Sequence, residues 1–380
     1  MLDTVFDPEI WARVPFHFWS VVFFIFGSIV GSFLNVCIHR MPLGLSVVSP
    51  PSHCPHCHYS IPWYLNLPLI TWLMLRGRCK NCRAPISVRY FLVELLTGAL
   101  FLGCWLNYGP ASARLALIYS LFVAGLIVAT FIDFEHFIIP DEITIGGTIV
   151  GLVFSFYAPL HDQVTALAGF WQGVIGAVVG WGLIYAIVRL GKLMFGRQRM
   201  ALPVDTKIIF SETAVHLPDR EIPYEELFYR QSDEIIMQAR TLELIDRCYQ
   251  NVQVRLSPRR LRIAAEELNP EAIHQMEAVS TEIILPREAM GFGDVKFMAA
   301  IGAFLGWPAT FFTLVISSVV GSVVGIIGMT IQGRERFARI PYGPYLAVAA
   351  LIWVLLPLDA KQELRELLAV LNPFAAPGLL

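Results

Sequence analysis

The sequence predicts an all-α polytopic membrane protein with about eight transmembrane helices, a cytoplasmic cysteine-knuckle loop and a mixed α/β cytoplasmic insert. Three observations predict it. Hydrophobic residues are 56% of the 380 and charged residues only 15%, with a mean hydropathy of +0.60, too apolar for an ordinary soluble domain. Apolar runs of membrane-spanning length recur along the chain. Two hydrophilic blocks, residues 39–89 and about 197–290, interrupt them. The net charge of -2 offers no global basic field, so no nucleic-acid partner is expected.

The first run covers 16–38. No basic segment precedes it and no small-residue cleavage site follows, so it reads as a retained helix and not a signal peptide. Further runs lie near 90–106, 115–132, 143–160, 169–190, 309–331 and 342–357, with a shorter one at 296–307. Gly306-Trp307-Pro308 divides the last two of the chain's central region, because Pro308 interrupts a continuous helix. Eight spans put both termini on one side. Arg76, Arg78, Lys80, Arg83 and Arg89 follow the first span, Arg189, Lys192, Arg197 and Arg199 the fifth, and Arg334, Arg336 and Arg339 the seventh. All share one side, which the positive-inside rule makes cytoplasmic. Asp3, Asp7 and Glu9 against Arg13 fit the opposite face.

The expected organisation is therefore an N-terminal segment and first helix (1–38), a cytoplasmic metal-binding loop (39–89), helices two to five (90–196), the cytoplasmic insert (197–290) and the C-terminal helices (291–380). Within the insert, Ile235, Ala239, Leu242 and Ile245 recur at spacings of three or four and predict a helix over Tyr224 to Gln250. Lys207 to Phe210 and Val252 to Leu256 read as strands.

Cys54-Pro-His-Cys57 and Cys79-Lys-Asn-Cys82 are two CxxC pairs separated by 21 residues, close to the spacing at which two turns set four thiolates tetrahedrally about one Zn²⁺. A reducing cytosolic face argues against disulfides. Four sulfur ligands leave no position for water, so such a zinc staples the loop and takes no part in hydrolysis. His53, His56 and His58 crowd the first pair and could replace a sulfur, though such neighbours are more often bystanders; Cys37, Cys104 and Cys248 read as ordinary thiols.

Asp133 closes the third run in Phe131-Ile-Asp-Phe-Glu-His-Phe-Ile-Ile-Pro-Asp141, and Asp294 opens the sixth in Gly291-Phe-Gly-Asp-Val-Lys296. An ionisable group bordering hydrocarbon is costly, which makes it a functional candidate. Two carboxylates brought together share a proton, one taking a proton from water and one donating to a peptide carbonyl. Gly291 and Gly293 let an extended backbone approach Asp294. The plain alternative is a helix-capping Asp294 and an Asp133 paired with a loop cation. Asp141 reads as the N-cap of the fourth helix, Lys296 as either a tuner of the acid or a snorkelling lysine, and Glu135 and His136 as solvated.

These residues belong to a longer series: Gly31-Ser-Phe-Leu-Asn-Val36 with His39-Arg-Met-Pro42, Ile61-Pro-Trp-Tyr64, Arg76-Gly-Arg-Cys79, Pro85-Ile-Ser with Glu94-Leu-Leu-Thr-Gly98, Pro140-Asp141 and Ile340-Pro-Tyr-Gly-Pro344. The series resembles the type IV prepilin peptidases, the GxGD-type aspartic proteases that process type IV prepilins and type II secretion pseudopilins. The resemblance implies a multi-pass protein of the bacterial inner membrane whose catalytic aspartates are Asp133 and Asp294, facing the cytoplasm, and whose zinc cysteines are Cys54, Cys57, Cys79 and Cys82. It also implies a second activity, N-methylation of the new N-terminus with S-adenosylmethionine, for which no glycine-rich donor loop is visible. Asn35, Arg40 and Glu94 are family-like polar positions with ordinary readings as interhelical hydrogen bonds or a membrane-edge anchor. The long block before Gly291 departs from the family's short loop; it is a candidate for gating entry, selecting leaders or binding a partner. Competing readings are a catalytically silent assembly factor of a pilus or secretion machine, and a transporter with acids in a proton path.

Overall fold

The computed structural model describes residues 14–158, 165–218, 220–228, 233–270, 275–286, 290–332 and 341–370, with Trp11, Leu160, Gln231 and Ile273. Asp3, Asp7, Glu9, Arg13, Arg334, Arg336, Arg339 and Ile340, used above for orientation or motif, lie outside the described residues. The chain forms two compact units, one of Met1–Ile184 with Phe292–Leu380 and one of Tyr185–Gly291.

The first unit is helical: α1 (Phe16–Arg40), α2 (Val88–Tyr108), α3 (Ala113–His136), α4 (Asp141–Tyr157), α5 (Ala166–Phe195, continuing into the second unit), α6 (Phe292–Leu305), α7 (Trp307–Gln332), α8 (Gly343–Leu355) and α9 (Leu358–Val370). Ser87 and Ser112 start α2 and α3 by accepting the amide protons of Arg89 and Leu115. Between α6 and α7, Gly306 adopts a φ of 79° and Pro308 takes the first turn of α7, where its missing N–H costs nothing.

Every predicted apolar run falls on a helix, but they differ in length. Among the described residues five helices are long and apolar enough to cross a membrane: Phe16–Leu43, Val88–Tyr108, Ala113–His136, Ala166–Met194 and Trp307–Gly328. A sixth is counted if Gly343–Leu355 and Asp359–Leu367, bent by 116°, form one span. α4 has 17 residues and α6 only 14, and a hydropathy run of that length does not separate a short span from a helix buried among others.

α1 lies along α2, which packs on α3; α8 packs on α3 and α7, and α4 on α6. Asn35 Nδ2 donates to the Tyr90 carbonyl across the first pair at 3.1 Å. At the other end of α2, the Tyr108 hydroxyl donates to the Val354 carbonyl at 2.9 Å and accepts from the buried Lys361 ammonium at 2.6 Å, joining α2, α8 and α9. α5 and α6 approach most closely at Gly176 and Gly302, where a Cβ on either residue would fall on the other's carbonyl. Small residues at a crossing let two membrane helices meet backbone to backbone.

The second unit is an antiparallel sheet of β1 (Arg197–Phe210), β2 (Ala214–Leu217), β3 (Arg220–Pro223), β4 (Ile235–Leu244), β5 (Cys248–Leu256), β6 (Leu261–Ile263), β7 (Glu266–Leu268) and β8 (Met276–Pro286), in the order β3-β2-β1-β8-β4-β5-β6-β7. Ile208, Val215, Ile235, Met237, Leu242, Val254, Ile263 and Ile283 lie in one core. The helix predicted over Tyr224 to Gln250 is corrected: only Tyr224–Leu227 is helical, and β4 and β5 occupy most of the rest. The insert is thus β and not mixed α/β. The misreading has a physical source. In β4 the positions in the sheet's core run Ile235, Met237, Ala239 and then Leu242, so the inward phase reverses once and leaves spacings of four and three inside a strand. Ile245, the fourth member of the supposed stripe, is 80% exposed in the turn.

Gly302→Val should force α5 and α6 apart and cost about 1–3 kcal/mol. Thermal unfolding of the detergent-purified variant checks this, with Gly182→Ala, whose added Cβ meets nothing, as the control expected to match the parent.

Candidate functional site

The loop between α1 and α2 is built on two copies of one turn. Cys54 N–H donates to the Tyr59 carbonyl at 3.0 Å and His58 N–H back to the Cys54 carbonyl at 2.9 Å; Cys79 N–H donates to Ala84 at 2.8 Å and Arg83 N–H to Cys79 at 3.0 Å. The fifth residue of each copy, His58 and Arg83, takes a positive φ of 55° and 61°, folding the chain back so that both cysteines of a pair face one point. Isolated bridges His53–Ser60 and Arg78–Pro85 close the two turns.

The four sulfurs lie within 4.8 Å of one another, with Cys54 and Cys82 at 3.7 Å and Cys57 and Cys79 at 4.0 Å. A tetrahedron of thiolates at a zinc–sulfur distance of about 2.3 Å has edges of about 3.8 Å, so the set fits a metal of that kind. Backbone N–H groups directed at the sulfurs lower two of the thiols: that of Tyr59 brings Cys57 to about 6, and that of Cys82 leads for Cys79. Thiolates, the metal-binding form, are thereby favoured at Cys57 and Cys79, whereas at Cys82 the Ala84 N–H is outweighed by burial and the three neighbouring thiols, which raise the thiol to about 11. His53 places Nδ1 3.0 Å from the Pro51 carbonyl, and no histidine belongs to the cluster. Arg40 is more than an edge anchor: it donates to the Ser46 and Pro50 carbonyls at 3.0 and 2.7 Å, tying the start of the loop to the end of α1. Glu94 on α2 accepts the Leu69 N–H of the loop at 2.7 Å and also bonds the Ser32 hydroxyl of α1, so its interhelical bond is joined by one to the loop.

Asp133 lies in the last turn of α3 and is 5% exposed. Phe137, at a φ of 56°, ends that helix with its N–H on the Asp133 carbonyl. The Asp133 carboxylate accepts the N–H of Gly343, the first residue of α8, at 3.0 Å. A carboxylate at a helix start meets an N–H without an intrahelical partner and the positive end of the helix dipole. Glycine suits this arrangement, since a Cβ would lie 2.7 Å from Asp133 Oδ2 and 2.9 Å from Ile139 Cδ1 and push both side-chain ends aside. Tyr342 is held in turn by hydroxyl contacts of 2.8 and 3.2 Å with Ser317 and Ser318.

Asp294 is the third residue of α6 and 7% exposed. Gly293 before it faces Ile139, whose Cβ would stand 3.6 Å from a Cβ at that position; Gly291 is exposed just ahead of the helix. Ile139 therefore touches the neighbours of both acids. Lys296 turns to Asp141, with Nζ 2.7 Å from Oδ1, an ion pair that neither of its two readings from the sequence included. Asp141 is corrected as well: Pro140 holds the N-cap position of α4 with no side-chain cap, and Asp141 is the first helical residue. Glu135, read as solvated, is ion-paired with Arg89 at the start of α2. Gly343 and Ile139 carried no assigned role in the sequence; the one signal was the Tyr-Gly-Pro in front of an apolar run.

Five apolar helices of spanning length define the class as a polytopic membrane protein, in which the buried acids Asp133 and Asp294 stand at helix ends. Two family models match, the bacterial peptidase A24 N-terminal domain over residues 25–108 and the type IV leader peptidase family over 120–201 and 276–326. Together they take in more than half of the chain, which belongs to the type IV leader peptidase family. The match is interrupted over most of the β insert. Among similar proteins, each called prepilin leader peptidase/N-methyltransferase, that of Aeromonas hydrophila is 28% identical over 370 residues, covering 90% of this chain and 92% of its own. That of Myxococcus xanthus is 31% identical over 317 residues, covering 83% and 65%, and that of Stutzerimonas stutzeri is 28% identical over 361 residues, covering 87% and 89%. No solved structure matches.

Gly343→Ala should insert normally yet lower leader cleavage by about tenfold or more, because an angstrom of displacement at a reacting group is enough for such a loss. Cleavage rate at matched protein level is the measurement.

Proposed function

We propose that the chain is an aspartic endopeptidase with Asp133 and Asp294 as its catalytic pair, removing the leader of type IV prepilins or type II secretion pseudopilins at the cytoplasmic face of the inner membrane. The observation that carries the reading is the burial of both acids at helix ends on either side of Ile139. In this reading all eight apolar helices are embedded, the two shorter ones enclosed by the rest, and the basic loops put the site at the cytoplasmic edge.

The two carboxyls hold one proton between them. Asp133, oriented by the Gly343 N–H, takes a proton from water as its oxygen attacks the scissile carbonyl, and Asp294 gives its proton to the carbonyl oxygen. On collapse, the proton on Asp133 passes to the leaving amine and that of the new hydroxyl returns to Asp294. The pair is back where it began. Gly291 and Gly293 leave room for the substrate backbone beside Asp294.

The names of the relatives support a second step, N-methylation of the new N-terminus. S-adenosylmethionine supplies an electrophilic methyl group when bound. Three buried polar atoms at the loop end of α1 and α2 have no partner among the described residues, Asn35 Oδ1, Trp72 Nε1 and Arg89 Nε. With Glu94 they form an acceptor and donor set of the kind its amino-acid portion needs, and we assign the donor there. The thiolate cluster holds one Zn²⁺, closed to water, as a staple for this loop.

Asp133→Asn and Asp294→Asn should each lower prepilin cleavage by at least about a thousandfold while the protein still accumulates in the membrane, since an amide neither shares the proton nor activates water. Mass spectrometry of a co-expressed prepilin reads cleavage and methylation together, and near-normal processing by either variant would remove the assignment.

Elemental analysis of the purified chain should find about one zinc per molecule, falling in Cys54→Ser and in Cys79→Ser with loss of protection from proteolysis in residues 46–87. An undiminished zinc content in both variants rules out the site.

A further inference from the structure

The segment from Phe134 to Asp141 joins the helix carrying Asp133 to the helix that packs on α6, and it is fixed at both ends by ion pairs. Glu135 meets Arg89 of α2, and Asp141 meets Lys296 of α6 at 2.7 Å. Between these two clamps Ile139 is buried. Its Cδ1 takes the space a Cβ would need on Gly343, whose N–H holds Asp133, and its Cβ faces Gly293, next to Asp294, at contact distance.

We propose that this segment is a positioning element for the peptidase reaction, with Ile139 as the spacer that sets the separation of the two carboxyls and the Arg89–Glu135 and Lys296–Asp141 pairs as the clamps that hold the spacer in place. It rests on the reading of Asp133 and Asp294 as the catalytic pair. Both ion pairs are partly exposed, so their contribution to stability is small. Reaction rate is far more sensitive to placement than stability is: a carboxyl moved by a fraction of an angstrom still leaves a folded helix end, but no longer a pair that passes protons to water and carbonyl. Lys296, two residues after Asp294 on α6, transmits the position of α4 to that acid; Glu135, two residues after Asp133, transmits the position of α2 to the other. The start of α2 is continuous with the thiolate loop through the Ser87 cap, so metal-holding residues and catalytic residues share one mechanical connection.

The test is steady-state cleavage of a prepilin by the full-length chain in detergent or nanodiscs. Ile139→Val and Ile139→Ala should lower kcat progressively, the latter by about tenfold, with KM within about twofold and little change in melting temperature. Lys296→Gln and Glu135→Gln should lower kcat in the same way. Exchange of the partners in Lys296→Asp with Asp141→Lys should recover most of what either single change loses, a recovery that requires the pair itself. Unchanged kcat in both Ile139 variants, a loss confined to KM, or an exchange no better than the single changes would overturn the proposal. Should Ile139→Ala fail to fold, the Ile139→Val and exchange results decide. Active Asp133→Asn or Asp294→Asn enzyme would instead overturn the catalytic reading, so the two failures are distinguishable.

Discussion

The hydrogen bond from the Gly343 N–H to the Asp133 carboxylate is the constraint on which the candidate site depends. An acid at the end of a membrane helix needs a donor, because a carboxylate withdrawn from water is costly without one. The start of α8 supplies it, and in doing so fixes where α8 begins against α3. That contact brings together a glycine, a tyrosine held by two serines of α7, and an isoleucine filling what remains. Three helices and one loop are thus committed to a single oxygen, and Asp294 is placed relative to it through Gly293 and Ile139.

How much of this was legible in the sequence depended on the range of the interaction. The thiolate turns were readable because ligand type and spacing are local chemistry, and the four sulfurs do converge. The apolar runs named the helices well, but length alone assigns five or six spans among the described residues, because helices of 17, 14 and 13 residues are as apolar as the longer ones. Asp141 follows a proline at a helix start, which suggests a cap; its actual partner is 155 residues away. Gly343 and Asp133 are 210 residues apart, and no periodicity reports such a pairing. In the insert, one phase reversal in β4 gave a strand the period of a helix.

The two ends of the loop between α1 and α2 are treated differently from its middle. Arg40 binds the backbone of the entering segment, Ser87 caps the departing one, and the two turns between them share the same internal hydrogen bonds. Such a loop has little hydrophobic core of its own. A metal bound at the thiolate cluster, as proposed above, would contribute the folding free energy that burial does not supply.

The β insert enters and leaves through neighbouring points. Its first strand begins at Arg197 and its last ends at Pro286, and these two residues face each other in the β1–β8 ladder. A module whose entry and exit are side by side spans no distance that its host must accommodate, and the chain can be interrupted there without altering the gap to be bridged. The family match breaks off within the first strand and resumes with the last, after residue 201 and from residue 276. In genetic terms, this is a location where a gene can gain, lose or exchange an entire folded unit in one event, leaving the flanking helices free to keep their own selective history.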